Sequence, residues 1–81
     1  MYSSNYCGFC VRALRLLKSK GADVTELNVD GDSRLRKKMM QKSGRHTVPQ
    51  IWIGDLHIGG CDDLYRLEQV GKLDSLLNIN N

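Results

Sequence analysis

No run of this sequence approaches the roughly 20 consecutive apolar residues that cross a bilayer, and its first residues lack the basic and apolar regions of a signal peptide. A membrane-spanning chain is excluded on that pattern, and a cytoplasmic location is expected. Length is scarce too: 81 residues give room for one compact domain, residues 1–81, and no second. Cysteines number only three, an odd count with two of them three positions apart, so the disulfide framework of a small secreted domain is not expected. Proline occurs once. Twelve Lys+Arg against nine Asp+Glu leave a net charge of +3, enough to draw small anions but short of a nucleic-acid footprint, since no aromatic or groove-entering motif accompanies the basic run Arg34 to Lys38. Neither nucleic acid nor a membrane is expected as a partner. What remains is an ordinary globular balance, 41% hydrophobic and 26% charged.

Periodicity divides the chain into short elements. Met1 to Ser4 leave room for a strand of only a few residues before the cysteine motif. From Gly8 to Lys20, Val11, Leu14 and Leu17 recur at helical spacing, with Gly21 as the C-terminal cap. Val24 to Val29 reads as a half-buried strand that Asp30-Gly31 ends. Asp32 or Ser33 can cap a second helix to about Ser43, with Leu35 and Met39 facing inward and Gly44 as its stop. Gln50 to Ile53 and Leu56 to Ile58 flank Gly54-Asp55 as a hairpin, Trp52 falling on the core side. Gly59-Gly60 breaks the second strand. Asp62 to Val70 carries Leu64, Leu67 and Val70 as a third helix, and Lys72 to Leu77 adds a short turn before a frayed tail, Asn78 to Asn81. The order β-α-β-α-β-β-α combines a parallel βαβ unit with an antiparallel hairpin, which predicts an α/β fold with a mixed sheet and helices on both faces.

The chemistry centres on Cys7 and Cys10. A thiolate is the nucleophile in disulfide exchange, and the first turn of a helix, with unpaired N–H groups and partial positive charge, favours the ionised sulfur. Cys7 stands at that position, so a depressed pKa is expected there and an ordinary or raised one at Cys10. Cys10 lies one turn on, close enough to attack a mixed disulfide on Cys7. A zinc site would need four ligands, and only Cys61, His46 and His57 are left over, with no second close pair, so no metal is expected. Phe9 offers an apolar surface beside the sulfur or packs on its own helix. His46 and His57 read as loop and strand packing.

Four stretches now form a pattern: Tyr6-Cys7-Gly8-Phe9-Cys10-Val11-Arg12-Ala13, Ser43-Gly44-Arg45, Thr47-Val48-Pro49-Gln50-Ile51, and His57-Ile58-Gly59-Gly60-Cys61-Asp62-Asp63-Leu64-Tyr65. Together they resemble the glutaredoxins, closely so the bacterial dithiol type, over nearly the whole chain. The resemblance implies a thioredoxin-like (glutaredoxin) fold with a four-stranded mixed sheet of order 2-1-3-4, and a cis bond between Val48 and Pro49 that would present the backbone of Val48 to an extended peptide. Glutathione is such a peptide and could pair there as an added strand. The resemblance assigns Phe9, Arg45, Thr47, Val48 and Pro49, with Gly60, Cys61, Asp62 and Asp63, to glutathione binding. Gly60, Cys61 and Asp62 open the third helix, where free N–H groups can hold the γ-glutamyl carboxylate; Asp63 would take the ammonium and Arg45 the glycyl carboxylate. Asp62 or Asp63 can equally serve as a helix cap. Cys61 matches a third cysteine of some relatives and reads as a small buried filler.

The implied function is a glutathione-disulfide oxidoreductase. Cys7 would reduce glutathione mixed disulfides and protein disulfides, Cys10 would resolve the adduct, and glutathione would be co-substrate, with glutathionylated or disulfide-containing proteins as partners. The alternative is a [2Fe-2S] carrier in which Cys7 of two chains and two glutathiones hold the cluster; Gly8 and Phe9 favour it and Cys10 weighs against it. A monomer is expected unless a cluster is bound. A redoxin fed by a thioredoxin reductase is disfavoured by Gly59-Gly60-Cys61-Asp62-Asp63. Two departures stand out: Ser4 replaces a lysine frequent in dithiol relatives, and Gly8 replaces the usual proline. The curtailed first strand implies either lower stability or further residues upstream.

Overall fold

The computed structural model describes residues 1–77, so the tail from Asn78 to Asn81 lies outside the described residues. In chain order the elements are β1 (Tyr2–Ser3), α1 (Gly8–Ser19), β2 (Leu27–Asn28), α2 (Ser33–Ser43), β3 (Ile51–Ile53), β4 (Leu56–Gly59), α3 (Cys61–Gln69) and α4 (Leu73–Leu77). The helices begin and end for local reasons. The Asp32 carboxylate accepts the Leu35 N–H at 3.0 Å to start α2, and Gly44 closes it in the left-handed region at φ 71°.

β1 and β2 pair in parallel, Tyr2 with Leu27 and Ser3 with Asn28. β3 and β4 form an antiparallel hairpin with a register irregularity between Ile51 and Trp52. A single antiparallel bridge joins these two ladders: Tyr2 and Gln50 exchange both backbone hydrogen bonds, at 2.9 and 3.2 Å. The spatial order is therefore 2-1-3-4, as expected, but the four strands meet as two pairs across one bridge and not as a continuous ladder. β1 is only two residues long, and Tyr2 is its one contact with the second ladder.

Two apolar clusters flank the sheet. Ala13 and Leu17 of α1, Ile51 of β3, Cys61 and Leu64 of α3 and Leu73 of α4 form the larger one. Tyr2, Val29 and Met39 form the smaller, with Leu35, Val48 and Trp52 packed against it. Trp52 meets Tyr2 edge-on with centroids 5.4 Å apart. Two readings of the pattern need correction. α1 buries Cys10, Ala13 and Leu17, while Val11 stays 49% exposed; the inward face is rotated toward Ala13, where α1 packs against α3 and a small residue fits. β2 is two residues long, not six, and Leu27 is exposed, because β1 offers only Tyr2 and Ser3 as partners.

Candidate active site

Cys7 caps α1. Its backbone is extended, and its Sγ accepts the Cys10 N–H at 3.2 Å, one of the orphan donors that every helix start leaves. On its other side the sulfur lies 3.8 Å from the Val48 carbonyl oxygen. No acidic residue occupies the first turn of α1, so the positive end of the helix acts on the sulfur alone. Cys7 is partly exposed, whereas Cys10 is buried, and all three cysteines are free thiols. Burial, reinforced by the hydrogen bond to Cys7, pushes the Cys10 thiol up to about 12. The two sulfurs thus occupy opposed surroundings one turn apart.

The approach to Cys7 is pinned by a residue that the sequence pattern marked only as a turn. Asp30 accepts the Ser4 hydroxyl at 2.6 Å and the Asn5 N–H at 2.8 Å, contacts that hold its carboxyl below the usual range. Ser4 is a loop anchor here.

Facing Cys7 is the loop Thr47-Val48-Pro49, with the Val48–Pro49 bond cis. Beyond it Gly60 caps α3, and a Cβ there would lie 3.5 Å from the Pro49 carbonyl oxygen, so loop and helix start are in close approach. Between them runs an open cleft of about 290 Å³, lined by Phe9, Arg45, Thr47, Val48, Pro49, Gly60, Cys61, Asp62 and Asp63. These are the nine positions expected from the resemblance to hold glutathione, brought together from α1, two loops and α3.

Arg45 and Asp63 face each other across this cleft. Arg45 Nη1 donates to Asp63 Oδ2 at 3.0 Å, and the same oxygen accepts the Gly60 N–H at 2.9 Å. Asp63 is therefore the reciprocal half of a capping box whose cap, a glycine, has no side chain to return the bond. The Gly60 amide first, and Arg45 second, hold its carboxyl below the usual range. This cluster makes Gly59 indispensable, although its motif reads merely as a strand breaker. Its φ is +114°, and a Cβ there would overlap the Asp63 carboxylate and come 3.1 Å from Arg45 Nη1. Cys61 is a buried filler, as expected, 5% exposed within the larger core, and burial pushes its thiol up. Among the described residues no three His, Cys, Asp or Glu side chains gather as a metal site, and no helix is long and apolar enough to cross a membrane.

The glutaredoxin family model matches residues 1–58. The chain is 51% identical over 78 residues to a glutaredoxin of Pseudomonas aeruginosa, covering 96% of this chain and 93% of that protein. It is 52% identical over 77 residues to glutaredoxin 3 of Escherichia coli strain K12, covering 95% and 93%. Among solved structures, the buckwheat glutaredoxin–glutathione complex superposes with a TM-score of 0.87 at 35% identity, covering 95% of this chain and 73% of that one.

Proposed function

Because the chain belongs to the glutaredoxin family, whose members support thiol–disulfide oxidoreductase activity, we propose that it reduces glutathione mixed disulfides and protein disulfides through Cys7, with glutathione as co-substrate. The Cys7 thiolate attacks the glutathionyl sulfur of a mixed disulfide, forming Cys7–S–S–glutathione and releasing the partner's thiolate, which takes a proton. A second glutathione thiolate then attacks the glutathionyl sulfur, giving glutathione disulfide and the Cys7 thiolate again. Alternatively, Cys10 attacks the Cys7 sulfur, expels glutathione and closes a Cys7–Cys10 disulfide.

The observation that carries this reading is the placement of the Cys7 sulfur on the amide of Cys10 and 3.8 Å from the carbonyl of Val48, which lines a cleft holding charged groups of both signs. Cys10 is a thiol at neutral pH, and part of what keeps it so is its bond to Cys7. Arg45 and Asp63 have each other until a ligand arrives. Both are substantially exposed, so parting them costs on the order of 1 kcal/mol or less, and the ligand's carboxylate and ammonium replace the lost partners. Replacing Cys7 by Ser should abolish reduction of a glutathionylated peptide, whereas replacing Cys10 should spare much of it; activity that survives without Cys7 would overturn the assignment.

A second reading has its own support. Tyr6 is fully exposed and Phe9 is 56% exposed, while the space beside Gly8 is open, an apolar collar around the one accessible cysteine. One chain cannot ligate a [2Fe-2S] cluster through a single accessible thiolate. Two chains giving Cys7 each, with two glutathione sulfurs, supply the four ligands, and the cluster would add electron-transfer chemistry. Anaerobic reconstitution with glutathione tests it: visible absorption with a dimeric mass supports the carrier, and a colourless monomer refutes it.

A further inference from the structure

We infer that Gln50 and His57 are positioning residues for glutathione, acting through the loop Thr47-Val48-Pro49; the inference rests on the glutathione-dependent reading above. Gln50 follows Pro49 and is completely buried. Its side chain turns back beneath the loop: Nε2 donates to the Thr47 carbonyl at 3.0 Å and approaches Thr47 Oγ1 at 3.3 Å. A carbonyl only accepts, so the amide nitrogen must face it, and Gln50 Oε1 is left to face His57 Nε2 at 2.8 Å. That oxygen is also only an acceptor, so the proton lies on His57 Nε2.

His57 stands on β4 opposite Trp52 in the hairpin, its ring 4.6 Å from the indole. Two residues later β4 gives way to Gly60 and α3, the other wall of the cleft. One hydrogen-bonded chain, from half-buried His57 through buried Gln50 to Thr47, therefore ties the loop wall to the strand that delivers the helix wall. A buried amide with every polar atom satisfied has one arrangement. Without the His57 donor, Gln50 Oε1 is orphaned and the amide is free to turn away from Thr47, releasing the loop that faces Cys7. None of these three side chains touches the Cys7 sulfur, so the expected defect is in holding the ligand and not in the nucleophile.

The test separates donor from ring. His57→Phe keeps an aromatic on Trp52 and removes the donor; His57→Gln keeps an amide N–H near the Nε2 position and removes the ring. Reduction of a glutathionylated peptide by His57→Phe should show KM raised about tenfold with kcat little changed, and His57→Gln should restore KM to within about threefold of the parent, on the scale expected of a misplaced binding wall. Iodoacetamide should alkylate Cys7 in both variants at the parent's rate while buried Cys10 and Cys61 stay protected, which also verifies folding. A parent-like KM in His57→Phe, or a KM as poor in His57→Gln, would overturn the inference. Should His57→Phe fail to fold, Gln50→Glu carries the same test, because a carboxylate accepts from His57 but cannot donate to Thr47; an unchanged KM there overturns it as well. A parent protein that fails to reduce the peptide at all would instead refute the glutathione reading.

Discussion

The two helices that border the cleft begin in opposite ways. α1 opens on a sulfur: Cys7 is its cap, Cys10 its third residue, and no carboxylate lies in the first turn. α3 opens on carboxylates: Gly60 is its cap, and Asp62 and Asp63 fill the first turn. Both starts offer the same unpaired N–H groups and the same partial positive charge. The α1 start leaves that charge to a group that reacts, while the α3 start is already complemented by acids and leaves its specificity to geometry, through Gly59, Asp63 and Arg45. One helix end faces a sulfur and the other its own carboxylates.

The largest consequence is expected in alkali. Cys10 keeps its proton far above its ordinary value of 9.0, to about 12, so the folded chain binds more protons than the unfolded one between those limits. The stability this gives is intact below about pH 9 and falls as the pH rises toward 12, by a few kcal/mol at 1.36 kcal/mol per unit. Chemical denaturation of the parent and Cys10→Ala across that range should show the decline in the parent and a flatter profile in the variant. Next comes Gly59→Ala, which sets a Cβ against the Asp63 carboxylate at a left-handed φ and should cost about 2–3 kcal/mol in denaturant unfolding while weakening glutathione binding by calorimetry.

Asp63→Asn attacks the α3 start more gently, with a loss of about 1 kcal/mol at neutral pH. Because the Asp63 carboxyl is held below its ordinary 3.8, its contribution is present above that value and disappears as the pH falls through the lowered one. Parent and variant should converge in acid melts, and a constant gap would contradict the assigned cap. Gly8→Asp makes α1 resemble α3. The position has open space for a side chain, and the new carboxylate competes for the helix end, slowing iodoacetamide at Cys7 about two- to fivefold while raising stability by a few tenths of a kcal/mol.

Much of this was legible in the residues. Asp32 or Ser33, with Gly44, marked the ends of α2, and the Cys7-to-Cys10 spacing marked the start of α1. The nine cleft positions followed from motif resemblance, and the structure assembles them in one cleft. What escaped depends on partners distant in the chain. Arg45 and Asp63, 18 residues apart, meet each other, and nothing local in either residue announces it. Asp30 reaches back 25 residues to Asn5. The inward face of α1 was misjudged because periodicity weighs Val11 above Ala13, whereas close packing against α3 favours the smaller side chain. Val24 to Val29 has strand composition, but pairing needs a partner, and β1 supplies two residues.

Competitive alkylation of the reduced protein at neutral pH, with each cysteine followed by peptide mass spectrometry, tests most directly the claim that one helix end sets a single sulfur apart. Cys7 should be modified well ahead of Cys10 and Cys61, and bound glutathione should slow it. Modification of Cys10 or Cys61 at the same rate as Cys7 would contradict the account.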